Sequence, residues 1–177
     1  MPSVLVPVLL AFTLTTGAAS ARSVAPPGPC LVPPIDAPVV DPFRMPACPY
    51  CAGNRGIEYG PRPGQGVVAM ADGVVVFAGS VAGTRWIVVE HRDGLRASYG
   101  WLARMSLSRG DVVRAGQELG RSTDRFYVGL RDGDRPVDPT DRLGRWRSRP
   151  RLVPSDGTRG RPGGAARLVC RIAGDGR

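Results

Sequence analysis

The sequence predicts an all-β domain of antiparallel strands, a sandwich or partial barrel, on three observations. Short apolar runs recur between glycines. Turn tripeptides punctuate them at regular intervals. No segment sustains the 3.6-residue apolar period that a helix needs to bury one face. The runs are GVVAM (66–70), GVVVFAG (73–79), RWIVVEH (85–91), LRASYG (95–100), QELGR (117–121) and RFYVGLR (125–131). The turn signals are Ala71-Asp72-Gly73, Arg92-Asp93-Gly94, Arg109-Gly110-Asp111 and Asp132-Gly133-Asp134. Glycine there supplies the positive φ that tight turns require.

The flanks differ in kind. Residues 1–21 carry no charge; an apolar run from Val4 to Leu14 leads into Ala19-Ser20-Ala21. That order predicts a signal peptide cleaved before Arg22, and an exported protein of the secreted or cell-envelope class. Residues 22–41 hold six prolines and read as an extended linker. The folded domain is expected over 42–143. Residues 144–177 are rich in Arg, Pro and Gly and read as a short ordered stub, then a flexible tail.

The formal charge is +9, and every basic residue is arginine. Nine of the arginines and only two aspartates lie in 145–177, so the predicted domain is nearly neutral and the tail is cationic. Anionic wall polymers or lipid headgroups are the partners such a tail attracts at short range, within a Debye length of about 8 Å. Export argues against nucleic acid. A covalent carrier domain, which needs a modified lysine, is excluded because the chain has no lysine.

Four cysteines in an exported chain predict two disulfides, and three pairings are open. We favour Cys48–Cys51 with Cys30–Cys170. In the loop-entropy account a four-residue loop gains roughly 2 kcal/mol and one of about 140 residues roughly 5. The Cys-Pro-Tyr-Cys spacing also fits a redox pair or half a zinc knuckle. The following Ala-Gly-Asn-Arg-Gly is poor helix material, and a redox cysteine needs a helix N-terminus to lower its pKa.

The order of the pieces resembles the lysostaphin-like, LytM-type zinc peptidases (family M23), built on a duplicated hybrid motif. RGIE, GQGVVAMADGVVVFAG, WIVVEHRDG, YGWL, GDVVRAGQELG, FYVGLR and PVDP follow the family's motifs in sequence over about 90 residues. The resemblance implies a barrel-sandwich hybrid fold. It also implies where zinc would bind. In the family one His, an Asp four residues on and the second His of His-x-His hold the metal. The His of a Tyr-x-His-Leu motif and the first His of His-x-His position water and the oxyanion. On this chain these positions are Asn54, Glu58 and Tyr127 for the ligands, and Trp101 and Arg125 for the others.

None of the five family residues is kept. Asn54 offers a neutral amide oxygen, a poor zinc donor. Tyr127 would have to lose a proton with a reference pKa near 10. Arg125 stays cationic, and two unit charges about 4 Å apart at an effective dielectric near 20 repel by about 4 kcal/mol. The expectation is a metal-free site with no cofactor and no catalytic residue. The single histidine, His91, falls at a strand end where the family does not use it, and is expected half-exposed. The old groove can still bind: Tyr99, Phe126, Arg55 and Arg131 join Trp101 and Tyr127 as candidate ligand-contacting residues, types that dominate binding hot spots. Equally, Trp101 and Tyr127 can simply fill the vacated space. The expected partner is peptidoglycan or a cell-wall hydrolase, since some degenerate family members activate wall amidases. The alternative is an active peptidoglycan endopeptidase using Glu58 with unconventional ligands.

Overall fold

A computed structural model describes residues 30–147 and 165–170. Every regular element among them is a strand. They are β1 (Val39–Asp41), β2 (Ile57–Tyr59), β3 (Gly66–Val68), β4 (Gly73–Val81), β5 (Thr84–His91), β6 (Leu95–Met105), β7 (Val112–Val113), β8 (Glu118–Asp132), β9 (Arg135–Val137), β10 (Arg145–Arg147) and β11 (Arg167–Val169). The first nine form one antiparallel sheet in the order β1-β2-β8-β6-β5-β4-β7, with β3 and β9 also on β8. The all-β antiparallel expectation holds.

Strand β8 is the longest at 15 residues. QELGR and RFYVGLR, read as two strands, are one strand with a bulge in its middle: between Ser122 and Tyr127 four residues of β8 face the single residue Trp101 of β6. The early part pairs with β3 (Val67↔Gly120), the later part with β2 (Tyr59↔Phe126), and β6 runs beside both. Beyond the bulge alternation sends Phe126, Val128 and Leu130 inward; before it Leu119, of the opposite parity, points inward, and all four are fully buried. They meet Val67, Val75, Ile87, Val89, Ala97 and Tyr99 in one apolar core. Tyr99 keeps a polar tip in that core. The Met70 amide donates to its hydroxyl at 2.9 Å, and burial raises the phenol's pKa well above its ordinary value.

The β4–β5 hairpin closes through Ala82 and Gly83 alone, with Val81 opposite Thr84. Both turn residues have positive φ (49° and 78°), the type I′ geometry that matches strand twist. The sequence hid this turn because alanine rarely adopts that conformation.

The predicted 22–41 linker is corrected over its described part. Leu31, Val32 and Ile35 are buried in the domain. Their backbone is paired too: Leu31 N–H donates to Arg142 O at 2.8 Å, and Val32 N–H to Met70 O at 2.8 Å. The prolines at 33 and 34 need no partner for an amide hydrogen, so this segment can lie against the sheet without being a strand. Arg145–Arg147 fits the expected ordered stub, and the described residues 165–170, within the expected flexible tail, are ordered against it. The stub pairs with Arg167–Val169, and Cys30 is disulfide-bonded to Cys170 immediately beyond. Gly144 permits this closure: a Cβ there would lie 2.8 Å from Cys30 Sγ and from Leu168. The expected signal peptide (1–21), residues 22–29 and the segments 148–164 and 171–177 lie outside the described residues.

His91 is buried, not half-exposed. Its Nδ1 lies 3.1 Å from the Asp72 carbonyl, which fixes the neutral tautomer with the hydrogen on Nδ1. Nε2 then has no partner among the described residues. Burial lowers the His91 pKa below its ordinary value of 6.5, outweighing the pull of the Asp72 carbonyl and nearby carboxylates.

Two outcomes follow. As pH falls the unfolded chain takes up the histidine proton first, so folding stability should drop below about pH 6.5 and stop dropping beneath the folded-state pKa. Urea titrations at pH 7.5 and 5.5 measure this; a His91→Asn chain should show no such loss over that interval. Tyr99→Phe leaves the buried Met70 amide without an acceptor and should cost about 1–3 kcal/mol at an unchanged denaturant slope.

Candidate functional site

The face of the sheet opposite the core carries the site. The register lines up Glu58 with Tyr127, Tyr127 with Gly100, and Gly100 with Trp86, one row across β2, β8, β6 and β5. Two rings lie flat in this row because glycines sit beneath them. A Cβ on Gly100 would fall 2.3 Å from the Trp86 ring, and one on Gly56 or Gly129 would fall 2.6 or 2.8 Å from the Tyr127 hydroxyl. The Trp86 and Tyr127 rings meet edge-on at 5.6 Å, and Trp101 meets the other side of Tyr127 at 6.0 Å. Such edge-to-face pairs are worth about 0.5–1.5 kcal/mol beyond their buried area.

Trp101 reaches this position from a left-handed backbone conformation (φ 58°), which costs a non-glycine residue about 1–2 kcal/mol. The guanidinium of Arg125 lies 4.0 Å above its ring. The same guanidinium donates to Glu58 Oε2 at 3.2 Å. Cation–π stacking and the ion pair thus close a chain of contacts: Glu58, Arg125, Trp101, Tyr127, Trp86. Both charged partners face solvent, so the ion pair itself is worth at most about 1 kcal/mol.

Asn54 is buried beneath this chain. Its Oδ1 accepts from the Gly56 amide and its Nδ2 donates to the Asp41 carbonyl, both at 3.2 Å. Its backbone bridges to Arg44, whose guanidinium pairs with Asp41; that pairing holds the Asp41 carboxyl below its ordinary pKa. Tyr127 is half-buried, and burial pushes its phenol pKa up against the opposing pull of Arg131 and Arg55.

These residues do not fit a zinc ion. The Asn54 oxygen is used by an amide hydrogen, the Glu58 carboxylate by a guanidinium, and the Tyr127 phenol holds its proton. Catalytic zinc requires about three anionic or imidazole donors converging on one point. Among the described residues no three His, Cys, Asp or Glu side chains converge in that way. Cys48 and Cys51 are joined to each other by a disulfide, which removes both thiolates as ligands.

The structure divides the remaining site expectations. Arg55, Arg131 and Tyr127 line one cleft of about 380 Å³ with Trp86, Arg96 and Ser98. Tyr99 and Phe126 are not in it. Both are fully buried core residues, because strand alternation turns them away from Tyr127 and Gly100. Trp86 was missed. Its signal was available in the hairpin register, which sets it opposite Gly100. Arg96 also joins the cleft, paired to Glu90 at 2.7 Å.

Comparison with known proteins gives these features a family. The model of peptidase family M23 matches residues 52–139. The lipoprotein NlpD/LppB homolog of Pseudomonas aeruginosa is 34% identical over 102 residues, 52% of this chain and 34% of that protein. The murein hydrolase activator NlpD of Salmonella dublin is 32% identical over 95 residues, 49% of this chain and 25% of that protein. This chain therefore spans about a quarter to a third of the length of these curated relatives. The solved structure of Helicobacter pylori Csd3 shares the fold, with a TM-score of 0.59 at 24% identity over 66% of this chain and 35% of that one. Through its domain at 52–139 the chain belongs to peptidase family M23, as a degenerate member that lacks the family's zinc ligands.

Proposed function

We propose that this chain is a non-hydrolytic member of its family, working outside the cytoplasm at the cell wall. There it binds peptidoglycan or a wall hydrolase whose activity it regulates. One observation carries this reading: at the three ligand positions Asn54 and Glu58 are committed to hydrogen bonds with the protein, and the Tyr127 phenol, its pKa raised by burial, keeps its proton. Metal-assisted hydrolysis would need those two contacts broken, the phenol ionised and better donors supplied.

Three further observations support it. Two disulfides suit an oxidising compartment outside the cytoplasm. One relative carries the name of a murein hydrolase activator, a role that requires a binding surface and not a reacting centre. The cleft offers aromatic faces and arginines to a ligand. Arg55 and Arg131 present guanidiniums for carboxylates, Ser98 adds a hydroxyl, and Trp86 and Tyr127 offer rings to stack on sugars or side chains. Trp86 and Val88 also border an apolar hollow with Phe77 and Val81, so the surface continues beyond the cleft.

Purified protein should contain under about a tenth of an equivalent of zinc. Digestion of cross-linked sacculi that a chelator abolishes, and that Glu58→Ala abolishes too, would establish the competing reading of an unconventional metallopeptidase. For the cleft, Arg55→Ala with Arg131→Ala should lower retention on sacculi, or on a hydrolase captured from envelope extract, by about tenfold or more. Undiminished retention of the double variant on both would rule the cleft out as the binding site.

A further inference from the structure

The strap formed by β10 and β11 is not part of the family domain or its cleft. It is a two-stranded antiparallel ribbon in the register Arg145↔Val169, Trp146↔Leu168, Arg147↔Arg167. Residues directly opposite share a face, and neighbours along a strand alternate. Arg145, Arg147, Arg167 and Val169 therefore occupy one face, and Trp146 with Leu168 the other. Leu168 turns toward Gly144 and Cys30, so its end of that face looks at the domain, while Trp146 beside it stays exposed. The three arginines are exposed, and none has an ion-pair partner among the described residues.

Two arginines set directly opposite each other are a net repulsion in a free ribbon. A third guanidinium two residues along, at a strand rise of about 3.4 Å per residue, adds to it. No carboxylate among the described residues relieves it. An anionic ligand would do so. Guanidiniums bind phosphate and carboxylate through paired N–H donors, and they remain charged at any accessible pH.

We propose that the arginine face of this ribbon is a docking site for a linear polyanion carrying phosphodiester groups, laid along the strands. Sidedness decides between this ligand and a membrane. A lipid surface would engage Trp146 together with the arginines, since tryptophan anchors at the headgroup level. The ribbon's alternation puts Trp146 on the opposite face. A narrow polymer needs the arginine face alone. The Cys30–Cys170 disulfide holds the site against the domain, so binding there would tether the domain to the polymer and leave the cleft free.

The test uses the full oxidised chain and fluorescently labelled poly(glycerol phosphate), read by anisotropy at low and physiological salt. Arg145→Ala, Arg147→Ala and Arg167→Ala together should weaken binding about tenfold or more and reduce its salt dependence. A matched chain with Arg92→Ala, Arg109→Ala and Arg114→Ala loses the same net charge and should bind within about twofold of the parent, in keeping with short-range contacts. Trp146→Ala should also leave binding unchanged. Equal losses in both triple variants would mean a diffuse charge effect and overturn the proposal. Retained affinity in the ribbon variant would place binding at other arginines and overturn it as well. Preferential binding to phosphatidylglycerol vesicles, lost in Trp146→Ala, would identify a membrane site instead. Arg55→Ala with Arg131→Ala should not change polymer binding, so this result and that of the cleft are separable.

Discussion

The pairing of β8 on both of its edges, on either side of a central bulge, is the constraint from which the rest of the domain follows. A 15-residue strand cannot slip by one position without turning every side chain over. Its register is pinned on one side by β6 and on the other by β3, β2 and β9 in turn. With that register fixed, Phe126, Val128 and Leu130 must enter the core, and Arg125, Tyr127 and Arg131 must take the opposite face, where Tyr127 and Arg131 line the cleft. The hydrophobic drive to bury the first set is what aims the second. Burying each large apolar side chain is worth about 1.5–3 kcal/mol, more than any contact within the site supplies. The site is thus a by-product of core packing. It can lose its chemistry without losing its shape.

What fills the site is also a product of shape. Arg125 brings a cation, with which Glu58 pairs, and Trp86, Tyr127 and Trp101 bring the bulk. Glycines at 56, 100 and 129 keep the floor low enough for rings. The left-handed backbone at Trp101 is the one strained element. It is offset by two contacts, the edge of Tyr127 and the guanidinium of Arg125. An arrangement with this many mutual contacts has a definite geometry of its own, more than a deletion of ligands would leave behind.

Much of this was legible in the sequence, and the failures are instructive. The strand runs, the Arg92-Asp93-Gly94 hairpin and the family motifs rest on local pattern, which survives folding. Alternation was legible too, yet Tyr99 and Phe126 were read as groove residues from their type and their closeness to Trp101 and Tyr127. Period-two geometry assigns them to the core. The 22–41 segment misled for a different reason. Proline content signals where regular backbone pairing is interrupted, and it does not signal that side chains stay exposed. Leu31 and Ile35 bury themselves in an irregular backbone whose amides find single carbonyl partners. The Ala82-Gly83 turn was hidden because alanine rarely takes a positive φ, and the cover of His91 depends on tertiary neighbours that no window of sequence contains.

The flanks are joined by the same reasoning applied to a weaker element. An isolated ribbon of three residues per strand has too little buried surface to persist in water. Like charges at Arg147 and Arg167 weaken it further. Its persistence needs support from outside its own hydrogen bonds. Leu31 supplies part of that support by anchoring the residue next to Cys30 in the core, and Gly144 by letting Leu168 and Cys30 approach closely. The disulfide supplies the remainder, closing a loop of 140 residues in sequence separation so that the unfolded chain loses freedom the folded strap does not. A cationic ribbon kept in an unfavourable electrostatic state by a covalent bond is a different object from a solubilising tail. Solubility would be served equally well by arginines on a free end.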